Sequence, residues 1–73
     1  MNIVVYPNPT SQYIHLESEI QFKIASIKNL QGKQLRTWTD FNEPINLAGF
    51  HPGVYFLKLE NQTETYFEKI IVE

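Results

Sequence analysis

Val54-Tyr55-Phe56-Leu57-Lys58-Leu59-Glu60 decides the fold. Tyr55, Leu57 and Leu59 share one phase of a two-residue period, and Val54, Phe56 and Lys58 share the other. That is the alternation a pleated strand imposes on its two faces. Asn61-Gln62 follows as a turn, and Thr65–Val72 returns as a second strand, so this part of the chain is a hairpin. Just upstream, Gly49, Pro52 and Gly53 turn the chain sharply. Gly53 is expected at positive φ, or where a side chain would clash with a neighbouring strand.

Working outward, Ile45 and Leu47 suggest a short strand before that turn, and residues 40–44 a loop. Residues 33–39 read as a strand led in by the hairpin turn Asn29-Leu30-Gln31-Gly32, with Gly32 free to take positive φ. Residues 22–28 are less regular. Phe22 and Ile24 share one phase and Ala25 and Ile27 the opposite one, so either a bulge shifts the register or both faces are partly covered. Residues 13–17 alternate cleanly, with Ile14 and Leu16 against Tyr13, His15 and Glu17. Ile3–Tyr6 is a first short strand, stopped by Pro7-Asn8-Pro9, where two prolines remove two backbone donors and fix two φ angles.

Turn signals thus recur every 8 to 12 residues or so, and no helical period outlasts a turn. The reading is an all-β, seven-stranded antiparallel sandwich of the immunoglobulin-like class, with residues 1–73 as one domain. Its expected core is Ile14, Leu16, Ile27, Leu35, Leu47, Tyr55, Leu57 and Leu59. A Tyr just after a Gly turn at the start of a strand matches the tyrosine corner of such sandwiches. The plain alternative is a core tyrosine with a satisfied hydroxyl.

Composition narrows function mostly by exclusion. Seventy-three residues bury at most one core, and with no cysteine neither a disulfide nor a thiolate zinc site can hold it. Stability must come from packing, to which five Phe, four Tyr and one Trp contribute large areas. The net charge is −2, and the six basic residues Lys23, Lys28, Lys33, Arg36, Lys58 and Lys69 are spread along the chain, which argues against nucleic acid as a partner. No apolar run approaches the roughly 20 residues that span a bilayer, so no direct membrane insertion is expected. The N-terminus lacks a basic region followed by an apolar stretch. Met1 stands directly before strand-like sequence, as it would if it began a piece of a longer protein.

Catalytic constellations are missing. His15 and His51 have no partner at ligand or triad spacing. Asp40 is the sole aspartate, and Glu17, Glu19, Glu43, Glu60, Glu64, Glu68 and Glu73 fall mostly at strand ends or on polar phases, as a solvated surface would have them. Asn61-Gln62-Thr63 matches the glycosylation triplet but reads as a turn. No glycine-rich phosphate loop or calcium loop occurs, and neither cofactor nor enzyme activity is expected.

Four ordered segments carry a resemblance. Val5-Tyr6-Pro7-Asn8-Pro9-Thr10 opens the chain, Ile27-Lys28-Asn29-Leu30-Gln31-Gly32-Lys33 makes the central hairpin, and Ile45-Asn46-Leu47-Ala48-Gly49-Phe50-His51-Pro52-Gly53-Val54-Tyr55-Phe56 precedes the last one. With Lys69-Ile70-Ile71-Val72 near the end, the chain resembles the type A C-terminal sorting domain of the type IX secretion system. The resemblance implies an address label on a larger exported protein, which crosses the periplasm and is delivered to the outer-membrane surface or secreted. It implies as partners the outer-membrane translocon, a shuttle protein, and a sortase-like cysteine protease that cleaves just before the domain. The implied recognition positions are Pro7, Asn8 and Pro9, Gly32, Gly53 and Tyr55, and Lys69, Ile70, Ile71 and Val72. Two departures from the family pattern are Glu68, where a second basic residue is usual, and Glu73 as a non-basic end. The rival reading is an appended adhesion or carbohydrate-binding module, which would expose an aromatic cluster drawn from Trp38, Phe41, Phe50 and Tyr66.

Overall fold

In a computed structural model, residues 3–39 and 44–73 are described, and among them the chain forms seven strands and no helix. These are β1 (Ile3–Tyr6), β2 (Tyr13–Ser18), β3 (Ile24–Lys28), β4 (Gln34–Trp38), β5 (Ile45–Asn46), β6 (Gly53–Glu60) and β7 (Thr65–Val72). Of the loop expected at 40–44, only Pro44 falls within the described residues, and it belongs to no strand.

Two antiparallel sheets result, one ordered β1-β2-β5 and the other β4-β3-β6-β7. This arrangement is consistent with the immunoglobulin-like sandwich, with the fourth strand beside the third instead of beside the fifth. β6 is central and long because its alternating phases suit a strand paired on both edges. It runs against β3 from Ile24↔Glu60 to Lys28↔Phe56 and against β7 from Gly53↔Val72 to Glu60↔Thr65.

The core lies between the sheets. Ile14, Ala25, Ile27, Leu57, Leu59, Ile70 and Val72 enter it from one phase of their strands, joined by Phe22, Ile45 and Leu47. Leu16 and Tyr55 pack against this cluster but are only half-buried. Leu35 does not belong to it at all and is 42% exposed. The cause is a bulge on β4 and not within residues 22–28: Ile27 pairs with Arg36 but Lys28 pairs with Gln34, so Leu35 is the extra residue, while residues 24–28 run against β6 without a break. It is turned outward on an edge strand with no further strand beside it.

The two glycines expected at positive φ, Gly32 and Gly53, both have it. Gly32 has φ +86° and accepts the role of fourth residue in the β3–β4 turn, its N–H donating to the Asn29 carbonyl at 3.0 Å. Gly53 has φ +157°, at the rim of the region that side-chain-bearing residues avoid. Steric exclusion is not its reason, since a Cβ there would meet only the Tyr55 ring, at 4.0 Å. Gly53→Val should therefore cost about 1–3 kcal/mol through backbone strain. A thermal melt followed by circular dichroism checks this, and an unchanged midpoint would show that Gly53 has no special backbone role.

Candidate recognition surface

The start of β6 is fixed by Tyr55. Its hydroxyl donates to the His51 carbonyl at 2.6 Å, while its ring packs against Phe50 at 5.4 Å between centroids. A tyrosine hydroxyl returning to the backbone four residues upstream, at the entry to the sixth strand, is the tyrosine corner. It holds the Gly49–Gly53 turn against the strand that the turn feeds.

Pro7-Asn8-Pro9 lies exposed as a bent strap, with both X–Pro bonds cis. Prolines cannot donate to a ladder, so the pairing here falls to Asn8 and Thr10. The Asn8 side chain does what a peptide group of an added strand would do: Nδ2 donates to the Lys69 carbonyl at 2.8 Å, and Oδ1 accepts the Ile71 N–H at 3.0 Å. Thr10 continues the pairing as a parallel bridge to Val72. Its N–H donates to the Ile71 carbonyl at 2.9 Å, and its carbonyl accepts the Glu73 N–H at 2.8 Å. The Thr10 hydroxyl, buried, donates to the Tyr13 carbonyl at 2.6 Å and anchors the strap to β2.

Three of the four groups singled out in the sequence therefore meet at one end of the sandwich. Asn8 holds Lys69 and Ile71, Gly53 pairs with Val72, and Tyr55 pairs with Ile70. Ile70 and Val72 are buried, while Lys69 and Ile71 face out. The turn that holds Gly32 lies at the same end of the sheet, since Lys28 pairs with Phe56, but Gly32 itself does not touch them. It sits at the β3–β4 turn, with nothing within 4 Å of an added Cβ. The strap itself was not readable in advance, because an Asn side chain pairing with a strand 61 residues away leaves no local pattern. Asn8→Ala removes two hydrogen bonds and should cost about 1–3 kcal/mol, with faster amide exchange at Ile71. Unchanged exchange at Ile71 would show that the strap does not protect the edge.

The other polar groups have structural roles. His15 stacks on Tyr6 at 5.2 Å, and the Tyr6 hydroxyl donates to Glu17 at 3.3 Å. That hydroxyl is raised above the usual tyrosine range chiefly by the Glu17 charge. The Tyr66 hydroxyl is raised too, first because it donates to the Glu68 carboxylate at 2.7 Å. Among the described residues no three His, Asp or Glu side chains converge as a metal site would need. Asn61 is held within its turn. Its Nδ2 donates to the Gln21 carbonyl at 2.9 Å, and its Oδ1 accepts from the N–H groups of Thr63 and Glu64. Shallow hollows beside this turn are lined by Lys23, Ile24, Glu60 and Gln62.

Nor, among the described residues, does the aromatic cluster of a binding module form. Trp38, Phe50 and Tyr66 are half-buried against the core, and Phe41 lies outside the described residues. Arg36 covers part of this edge, with its guanidinium 4.7 Å from the Phe50 ring centroid and Nη1 donating to the Asn46 carbonyl.

A family model described as a secretion system C-terminal sorting domain matches residues 4–73, while no curated protein matches the chain.

Proposed function

Because the chain belongs to the C-terminal sorting domains of type IX secretion, and so is the sorting signal of an exported protein bound for the cell surface or the medium, we propose that its label is read where the entrance strap and the terminal strand meet. The observation that supports this is the Asn8 clamp on Lys69 and Ile71. It joins the segment next to the cargo to the strand at the far end of the sequence, so an intact entrance and an intact terminus form one unit.

In this reading Pro7, Asn8 and Pro9 fix the shape of the junction, Gly53 and Tyr55 build the turn beneath it, and Lys69, Ile70, Ile71 and Val72 form the terminal strand. Gly32 keeps the β3–β4 hairpin in shape. The family makes interaction with the secretion machinery part of the function. The finer assignment is that the outer-membrane translocon and a shuttle protein bind the folded domain after it reaches the periplasm. A sortase-like cysteine protease then cleaves on the cargo side of residues 7–9, and residues 1–73 are removed as one domain. A family of sorting signals is not known for enzymatic activity, and no reaction is assigned to this one.

The test fuses residues 1–73 to the C-terminus of an inert periplasmic reporter in a bacterium that has the type IX machinery. The reporter is expected on the surface or in the medium, shortened by the length of the domain. A folded fusion retained in the periplasm would contradict the sorting reading, and a surface reporter that keeps the domain would contradict cleavage.

A further inference from the structure

We propose that the outer edge of β7 at Thr65, Phe67 and Lys69, with the sheet face beside it, takes up an extended acidic segment of a partner protein by strand addition. The partner's place in the secretion machinery rests on the sorting reading. The surface itself is argued from the fold.

β7 closes one side of its sheet, and its ladder faces β6 alone. Outward-pointing backbone groups fall on odd-numbered residues, as the bonds from Asn8 and Thr10 to Lys69, Ile71 and Glu73 show. By the same alternation the N–H and C=O of Phe67 also point outward, and no described residue pairs with them. The edge is therefore half-capped: the chain's own strap, through Asn8 and Thr10, covers residues 69–73, and the stretch before it is open. A segment added there would continue pairing that the strap has already begun.

The side chains on this face are not those of a protected edge. Phe67 is 56% exposed, more than any other described aromatic. It lies abreast of Lys58 on β6, whose ammonium is 6.0 Å from the Phe67 ring centroid. The next row is Lys28, Phe56 and Lys69 across β3, β6 and β7, followed by Val54 beside Ile71, each more than a third exposed. Three of the six basic residues of a chain with net charge −2 thus share one sheet face. Among the described residues of these four strands, the carboxylate on that face is Glu60, 3.7 Å from Lys58. Apolar rows interleaved with cations suit a strand that alternates apolar and acidic residues, with the backbone supplying attachment and the lysines setting the sign of the partner.

The probe is a synthetic peptide of alternating Val and Glu, compared with its Val and Lys counterpart and with phosphatidylglycerol vesicles. The readout is amide NMR shifts and hydrogen exchange on the full chain. The Val/Glu peptide is expected to shift Thr65, Phe67 and Lys69, to slow exchange at Phe67, and to bind at least about tenfold more tightly than the Val/Lys peptide. Phe67→Ser and Lys69→Glu, both at exposed positions, should each weaken it severalfold while leaving the spectrum folded. Equal binding of the two peptides, protection on β4 in place of β7, or binding to vesicles with no peptide binding would each overturn the proposal. In the secretion assay, Phe67→Ser should lower surface delivery of the reporter. Normal delivery of that variant would overturn the assignment of the partner to the machinery, whereas retention of the unmutated fusion would count against the sorting reading alone.

Discussion

Leu57→Ala should lower the melting midpoint of the domain by roughly 8 °C or more. Leu57 is fully buried at the centre of β6, between Ile27 on β3 and Glu68 on β7 in the pairing register. Truncation there removes three carbons and leaves a cavity that two flanking ladders prevent from closing, which costs about 2–5 kcal/mol. A two-state domain of this length has only about 4–11 kcal/mol in total, so the loss is a large fraction of it. Leu35→Ala supplies the comparison. The same chemical change at the outward-turned bulge residue should move stability by about 0.5 kcal/mol or less. Thermal melts of both variants decide the matter, and a Leu57→Ala midpoint near wild type would place Leu57 outside the core.

Deleting residues 69–73 should abolish delivery of a fused reporter to the cell surface. Two effects act together here. The deletion removes Lys69 and Ile71, which the sorting reading places in the recognised strand. It also withdraws Ile70 and Val72 from the core and leaves Asn8, Thr10, Gly53 and Tyr55 without their partners. Loss of export by the deletion alone would therefore not separate recognition from folding. Lys69→Ala does, because the side chain is exposed and its removal should change stability by no more than about 0.5 kcal/mol. A folded Lys69→Ala fusion with reduced surface delivery supports recognition at this strand. If the deletion variant is still delivered, the terminal strand is not required for sorting.

The strands were legible wherever local alternation was strong. β6 and β7 carry eight residues each, and both were legible as strands, but only in β6 did side-chain period also give the inward face; β7 is apolar on both phases near its end, and its buried Ile70 and Val72 were not in the expected core. Burial was harder to read where it depended on what lay opposite. Phe22, Ala25 and Ile45 are buried by neighbours that no local window contains, and Leu35 is expelled by a bulge whose partner strand sets the register. Of the site residues, Gly53 and Tyr55 were readable from their position at a turn entering a strand, and the structure supplies the His51 carbonyl that the tyrosine hydroxyl needs.

The terminal strand shows most clearly how the two sources divide. Ile70, Ile71 and Val72 mark a strand that is apolar on both phases, and the sequence by itself determined that such a strand must be covered or meet a partner. It also determined the all-β class, the absence of any cysteine-based site, and the ordered motifs that carry the family resemblance. Which edge of that strand is covered was decided only by the tertiary structure. Chain folding brings Asn8 and Thr10, more than 60 residues away, onto Lys69, Ile71 and Glu73, and leaves Phe67 open. Two of the four hydrogen bonds in this contact come from the backbone of Thr10 and two from the single side chain of Asn8, and neither a backbone group nor one isolated side chain leaves a periodic trace in the order of residues.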